Sequence, residues 1–256
     1  MLPTTIEDII AKLDHIIADS IKNRDRMGYF AALYKRVTVA VRDKIKEGYF
    51  QDNARMEHLD VTFANRYLDA YNRYKNKQSI TTSWRLAFEA TEAWKPLVLQ
   101  HLLLGMNAHI SLDLGIAAAT VSPGDSIESL HEDFNRINNV LAELINTVQH
   151  ELIEVWPVLK PILWFGGKLE EELVVFSIDI ARDAAWQEAL KYASLKNIAE
   201  RDTFITARDK DVTRFGRKLY HPGFLLSISI TISRLFERGT IRKKIEILNS
   251  EPTTCK

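Results

Sequence analysis

Apolar residues recur along most of the chain at spacings of three and four, the repeat of a helix that buries one face. Ile6, Ile9, Ile10, Leu13, Ile16 and Ile17 predict a first amphipathic helix, and Tyr29, Phe30, Leu33, Val37, Val41 and Ile45 a second ending near Gly48. A third is expected from about Asn53 to Asn76 and a fourth from about Thr82 to Trp94. Pro96, suited to a first helical turn, then opens a long apolar segment over about residues 97–120, which stops at the turn Ser122 to Ser126. Beyond it Leu130, Phe134, Ile137, Leu141, Leu144 and Val148 mark another helix, with Asp125 or Ser126 as its cap. Pro157, Pro161, Gly166 and Gly167 limit WPVLKPILWFGG to short helical pieces, and helical patterning resumes from about Leu169 to Leu195.

After that the pattern weakens. The run KNIAERDTFITARDKDVTRFGRK is polar and reads as loosely ordered. LSISITIS, Leu226 to Ser233, alternates as a half-buried strand would, but a lone strand has no partner for its backbone, so it is assigned to helix. With only 10 glycines and 7 prolines in 256 residues, the expected fold is all-α: a single-domain multi-helix bundle around the buried central helix. One domain is expected over 1–256, with a helical extension at 196–249 and a polar tail at 250–256.

Charge removes whole classes of function. The chain carries 34 basic and 34 acidic residues and a formal charge of zero, so it lacks the electrostatic footprint of a nucleic-acid binder. The single cysteine, Cys255, has no partner for a disulfide or a metal site. The first twenty residues place acids within an amphipathic pattern and lack an unbroken apolar run, unlike a signal peptide, so a soluble cytoplasmic protein is expected. The central segment is long enough to span a bilayer. Its Gln100, His101, Asn107, His109 and Asp113 would be costly in hydrocarbon, however, so the chain is read as not membrane-spanning and the helix as buried in protein.

Those polar groups are the candidate chemistry. At about 100° per residue, Gln100, Asn107 and Ser111 fall on one line of the helix, and His101, Gly105, His109 and Asp113 on a second that drifts by about 40° per step. Each line is expected to face a different neighbour. His109 and Asp113, four apart, can reach one cation, or the carboxylate can orient the imidazole. His101 lies about 12 Å along the axis from His109, marginal for joint ligation. Gly105 leaves a gap for a ligand, a solvent molecule or a neighbour's side chain. On the third helix, His58 projects with Arg55, Thr62, Asn65 and Arg66 on a polar face, whereas Asp60 falls among Met56, Phe63, Tyr67 and Tyr71. A buried aspartate needs a cation, a metal or strong donors. Asp133 projects beside Leu130, Ile137 and Val140, and Arg182 sits one turn from Asp179 and Asp183 in an apolar helix. Either these groups form a structural ion-pair network, or Asp60, Asp133 and Arg182 converge on the His101 to Asp113 stripe as a site.

The blocks RMEHLDVTFANRYLDA, SWRLAFEA, WKPLVLQHLLLGMNAHISLDLGIAAA, DFNRIN and ARDAAW together resemble an all-helical family of bacteria and eukaryotes known only as domain of unknown function 5995. The resemblance covers roughly residues 25–195, with the central block its most specific part. It implies no activity, cofactor or catalytic residue, only that these blocks belong to one domain.

Other motifs add little. Glu128 to His131 is a single E-x-x-H pointing off the apolar face, where a di-iron bundle needs two. No H-E-x-x-H, paired C-x-x-C, P-loop, G-x-G-x-x-G, G-x-S-x-G or D-D-x-x-D run occurs. His15, His150 and His221 read as ordinary surface or interhelical residues. Trp156, Trp164 and Phe165 suit either a pocket rim or simple packing, and Arg234 to Lys244 a solvated basic face. Three functions remain open. One is a metal-dependent hydrolase, in which His109, Asp113 and Asp60 hold a divalent metal, His101 or Asp133 serves as acid or base, and Arg182 holds an anionic group. Asn107, Gly105 and Tyr67 would then contact the substrate. Another is a metal-free pocket that binds, isomerises or cyclises a small molecule with an apolar part. The last is a scaffold whose polar core is structural.

Overall fold

The computed structural model describes residues 2–155, 178–221, 234–235 and 237–250, without the side chains of 143, 145–155 and 179. The described residues form α-helices, one π-helical and one 3-10 turn, and no strand. Helices α1 (Ile6–Asn23), α2 (Gly28–Lys46), α3 (Asn53–Lys75) and α4 (Thr82–Glu92) follow the amphipathic spacing closely. Capping explains the starts of α1 and α3: Thr5 Oγ1 accepts from the amide of Asp8 at 3.2 Å, and Asp52 Oδ1 from the amide of Arg55 at 2.9 Å. The remaining helices are α5 (Val98–Ala108), α6 (Gly115–Val121), α7 (His131–Val155), α8 (Ile178–Ser194), α9 (Ile198–Tyr220) and α10 (Ile241–Asn249).

The apolar segment forms the axis of the bundle. Val98–Val121 is long and apolar enough to cross a membrane by length and composition, yet 83% of its most apolar window is buried within the protein. It is not one regular helix. His109–Leu114 is π-helical and joins α5 to α6, a local widening of a kind often found at functional positions. α5 packs against α2, α4 and α9, while α6 packs against α3 and α8. Gly115 permits the second contact, since a Cβ there would lie 2.7 Å from the backbone oxygen of Ala185.

The line of Gln100, Asn107 and Ser111 faces a single neighbour, α9. Gln100 Nε2 donates to the carbonyl of Leu219 at 2.9 Å, Asn107 Nδ2 to that of Val212 at 2.9 Å, and Arg208 Nε to the carbonyl of Ser111 at 2.9 Å. The polar run expected to be loosely ordered is therefore a helix of 23 residues. Its polar groups are spent on interhelical bonds. Asp209 accepts from the amides of Thr82 at 2.7 Å and Ser83 at 2.9 Å, satisfying the free donors at the start of α4.

The expected solvated basic face is also corrected. Lys244 Nζ lies 2.7 Å from Glu237 Oε2, with the two side chains 3% and 1% exposed, and Arg234 binds the same carboxylate. Glu237 Oε1 accepts from the amide of Val98 at 3.0 Å, so the cluster anchors the first turn of α5. The turn before α7 is a 3-10 helix, Gly124–Leu130, and not a simple cap at Asp125 or Ser126. The aromatic segment of Trp156, Trp164 and Phe165, the strand-like Leu226 to Ser233, the side chain of His150, and Cys255 lie outside the described residues.

Candidate functional site

A cavity of about 370 Å³ lies between α2, α3, the central helix, α7 and α8. Its wall is overwhelmingly apolar, including Leu33, Val37, Met56, Leu103, Met106 and Leu141. Among the described residues four polar ones interrupt it: Tyr34 from α2, Asp60 from α3, His109 from the π-helical turn and Arg182 from α8. Three of them carry atoms the protein leaves unpaired. Tyr34 Oη, Asp60 Oδ2 and both ring nitrogens of His109 are buried without a hydrogen-bond partner. Buried polar atoms are paired in the great majority of cases, so such a group around one cavity is the feature that needs explaining.

Burial sets the protonation of each. Asp60 is pushed up to about 7 by desolvation, with Glu57 adding to the effect, and no ion pair among the described residues opposes it. His109 is pushed below its ordinary value, because loss of solvent outweighs the attraction of Asp113, and Arg66 opposes its charging further. The phenol of Tyr34 is driven well up by burial and by the negative charges of Asp60 and Asp113. His109 is thus a neutral imidazole. It lies flat on Phe63, with centroids 3.5 Å apart and planes 6° from parallel, and meets the Tyr34 ring edge-on at 4.6 Å.

Asp113 is placed differently from Asp60. Arg66 Nε donates to its Oδ1 at 2.7 Å and the indole of Trp84 to its Oδ2 at 2.8 Å. His109 Nδ1 stands 3.6 Å from Oδ2, beyond hydrogen-bond length. Burial opposes ionisation of Asp113, but Arg66, His109 and Trp84 together outweigh it and hold the carboxyl below its ordinary value. Helical spacing places Arg66 on a polar face and gives Trp84 no role, yet both hold Asp113. A long arginine whose stem crosses the helix surface is hard to assign to a face from spacing alone.

The proposed metal ligands do not form a set. The described residues contain no group of three His, Cys, Asp or Glu side chains able to hold a metal ion, and Asp113 is already engaged by Arg66 and Trp84. Asp60 and His109 nevertheless share one cavity wall.

The other candidates are distributed around this centre. Asp133, fully buried, is a structural anchor: its oxygens accept from the amides of Gln51 at 2.8 Å and Asp52 at 3.0 Å, fixing the α2 to α3 connection. Arg182 lines the cavity while its Nη2 donates to the carbonyl of Phe134 at 2.5 Å, its Nε bonds Asn138, and its guanidinium lies 4.5 Å over the Phe134 ring. Asp183 is exposed. The gap at Gly105 is filled by Phe30, whose ring would stand 2.4 Å from a Cβ there. His101 lies on the far side of that ring, in a separate space of about 20 Å³ that Tyr67 also lines. Both His101 nitrogens are unpaired, and burial followed by Arg26, Arg234 and Lys244 lowers it to about 3. Asn107 belongs to the α9 seam and does not line the cavity. Tyr34 is the residue that sequence reasoning missed, because a tyrosine within an apolar stripe carries no signal that its hydroxyl lacks a partner.

A family of unknown function (DUF5995) matches residues 6–222, a span that takes in every residue lining the cavity. No curated protein and no solved structure matches the chain. With its match running from α1 past the end of α9, the chain belongs to the DUF5995 family of unknown function.

Proposed function

We propose that the protein is a soluble, cytoplasmic binder of a small, largely apolar molecule, held in the 370 Å³ cavity without a metal. One observation carries this reading: Tyr34, Asp60 and His109 bring unpaired polar atoms to the wall of a cavity that the other described residues, apart from Arg182, line with apolar side chains. A ligand with an apolar body and one polar head would supply both the packing and the missing hydrogen bonds. The metal-dependent hydrolase is the weaker reading, since Asp113 is committed elsewhere and among the described residues no third ligand joins Asp60 and His109. A purely structural polar core fits Asp113 and Asp133, whose oxygens are bonded, but not Asp60.

A second reading, that the pocket also isomerises or cyclises its ligand, is favoured by Asp60 alone. A carboxyl raised to about 7 can both take and give a proton near neutral pH.

Titration with a neutral fluorescent apolar probe such as N-phenyl-1-naphthylamine tests the binding reading, with Leu103→Phe as the cavity-filling variant. Saturable one-to-one binding by wild type, weakened at least tenfold in the variant, is expected. Equal binding by both, or none by a folded wild type, overturns it. Elemental mass spectrometry of the tag-free protein is expected to find no stoichiometric transition metal; a metal lost on Asp60→Ala and His109→Ala would restore the hydrolase.

A further inference from the structure

The unpaired groups on the cavity wall differ in kind from those of a pocket for a neutral or acidic ligand. An ionised Asp60 offers only acceptors. A neutral His109 offers one acceptor nitrogen and one N–H, and Tyr34 a hydroxyl that can accept as well as donate. Acceptors therefore outnumber obligate donors among the unpaired groups. Among the described residues the one permanent cation on the wall, Arg182, is turned to α7, where Asn138 and the Phe134 carbonyl take N–H groups of it. No ion pair among the described residues reaches Asp60.

We infer that the polar head of the ligand is a primary ammonium, and that the cavity selects a lipophilic amine by pairing its charge with Asp60. The inference rests on the binding reading above. An –NH3+ group carries three donors and no acceptor, one each for Asp60, the acceptor nitrogen of His109 and the Tyr34 hydroxyl oxygen, and its charge also neutralises Asp60. The aliphatic wall of Leu33, Val37, Met56, Leu103 and Leu141 takes the tail. A carboxylate head would instead meet a second negative charge, and an alcohol would leave the charge of Asp60 buried and uncompensated.

The same pairing makes binding depend on pH. The ionisable groups facing Asp60 are Tyr34 from α2, Glu57 on α3 itself, His109 from the π-helical turn and Arg182 from α8; the residues of α5 and α7 on the wall are apolar. Among these, Asp60 is the group raised to about 7, so it is protonated at pH 5.5 and ionised at pH 8.5. Amine affinity should rise across that interval while the affinity of a neutral ligand stays level.

The test is calorimetric titration of the full-length protein with octylamine, octan-1-ol and octanoate, each below its aggregation concentration, at pH 5.5 and 8.5. Octylamine is expected to bind at least tenfold more tightly than either analogue at pH 8.5, and to lose most of that preference at pH 5.5. Asp60→Asn is expected to keep octanol binding and lose the preference for the amine. Octanol or octanoate binding wild type as tightly as octylamine at pH 8.5 would overturn the ammonium assignment and leave the apolar cavity standing. Binding by none of the three would overturn both readings, and the wild-type series decides the matter even if the variant fails to fold.

Discussion

His109 lies flat against Phe63, 3.5 Å between ring centroids and 6° from parallel, while neither of its nitrogens is hydrogen-bonded. The stacking fixes the imidazole by its face and leaves its edge uncommitted. Asp113, one turn along, does not take up that edge, because Arg66 and Trp84 already hold its oxygens. Two neighbours whose spacing suits joint ligation of one cation are thus divided into a structural acid and an unpaired base.

The division has an energetic consequence. Trp84→Phe keeps the aromatic packing and removes one hydrogen bond to a buried carboxylate, a change worth about 2 kcal/mol. Denaturant unfolding near neutral pH should show that loss. In an Asp113→Asn background the same substitution should cost about half as much, since the acceptor no longer carries charge; equal costs in both backgrounds would show that Trp84 acts through packing alone.

Asp60 should work against stability at high pH. Its carboxyl is raised from an ordinary 3.8 to about 7 in the folded protein, so the folded state holds the proton more tightly than the unfolded chain. The contribution of Asp60 to stability therefore falls as pH rises from about 4 through 7 and then levels. Three pH units correspond to about 4 kcal/mol. Asp60→Asn should leave stability unchanged at pH 4 and raise it by up to about that amount at pH 8, measured by denaturant unfolding at both values.

His101 acts in the opposite direction. Lowered to about 3 from 6.5, it is protonated more readily in the unfolded chain, so its contribution is fully present above pH 6.5 and drains away as pH falls towards 3. The slope is about 1.4 kcal/mol per unit. His101→Phe, which keeps a ring beside Tyr29, should remove this rising contribution, so that stability falls more steeply from pH 4 to pH 6 under the opposing effect of Asp60; an unchanged profile would show that His101 is not buried in neutral form.

The two glycines of the central helix should differ in tolerance. At Gly105 an added Cβ meets the ring of Phe30, a side chain that can turn aside, whereas at Gly115 it meets the backbone oxygen of Ala185. Overpacking costs about 1–3 kcal/mol. Gly105→Ala should fall within that range and be partly relieved by adding Phe30→Leu. Gly115→Ala should lie at or above its upper end with no side-chain substitution to relieve it, as thermal unfolding of the three variants will show.

Much of the fold was legible in the chain because burial on one helical face leaves a periodic trace. The boundaries of α1 to α4 and the sorting of Gln100, Asn107 and Ser111 onto the side that meets α9 follow from 100° steps. What escaped has physical reasons. α9 and the Glu237 cluster are polar yet packed, since their charges meet partners from distant helices: Asp209 with Thr82, Glu237 with Val98. No local pattern records such pairings. The stripe drawn as one line drifts by about 40° per four-residue step, so it sends His101 towards Tyr29, Gly105 onto Phe30 and His109 into the cavity, and the π-helical winding that begins at His109 changes the register only beyond that point. Asp133 and Asp60 look alike in the string. Only the loop amides above Asp133, and their lack above Asp60, tell them apart.

The most direct test of the cavity as a binding site uses the histidines as reporters. Of the seven, His109 lines the large cavity and His101 the small one beyond Phe30. In protein labelled with 15N and 13C at histidine, and assigned through His109→Gln and His101→Phe, N-phenyl-1-naphthylamine should shift the ring resonances of His109 in a saturable manner and leave those of His101 in place. A probe that binds while His109 stays unmoved, or moves both rings alike, would contradict the account.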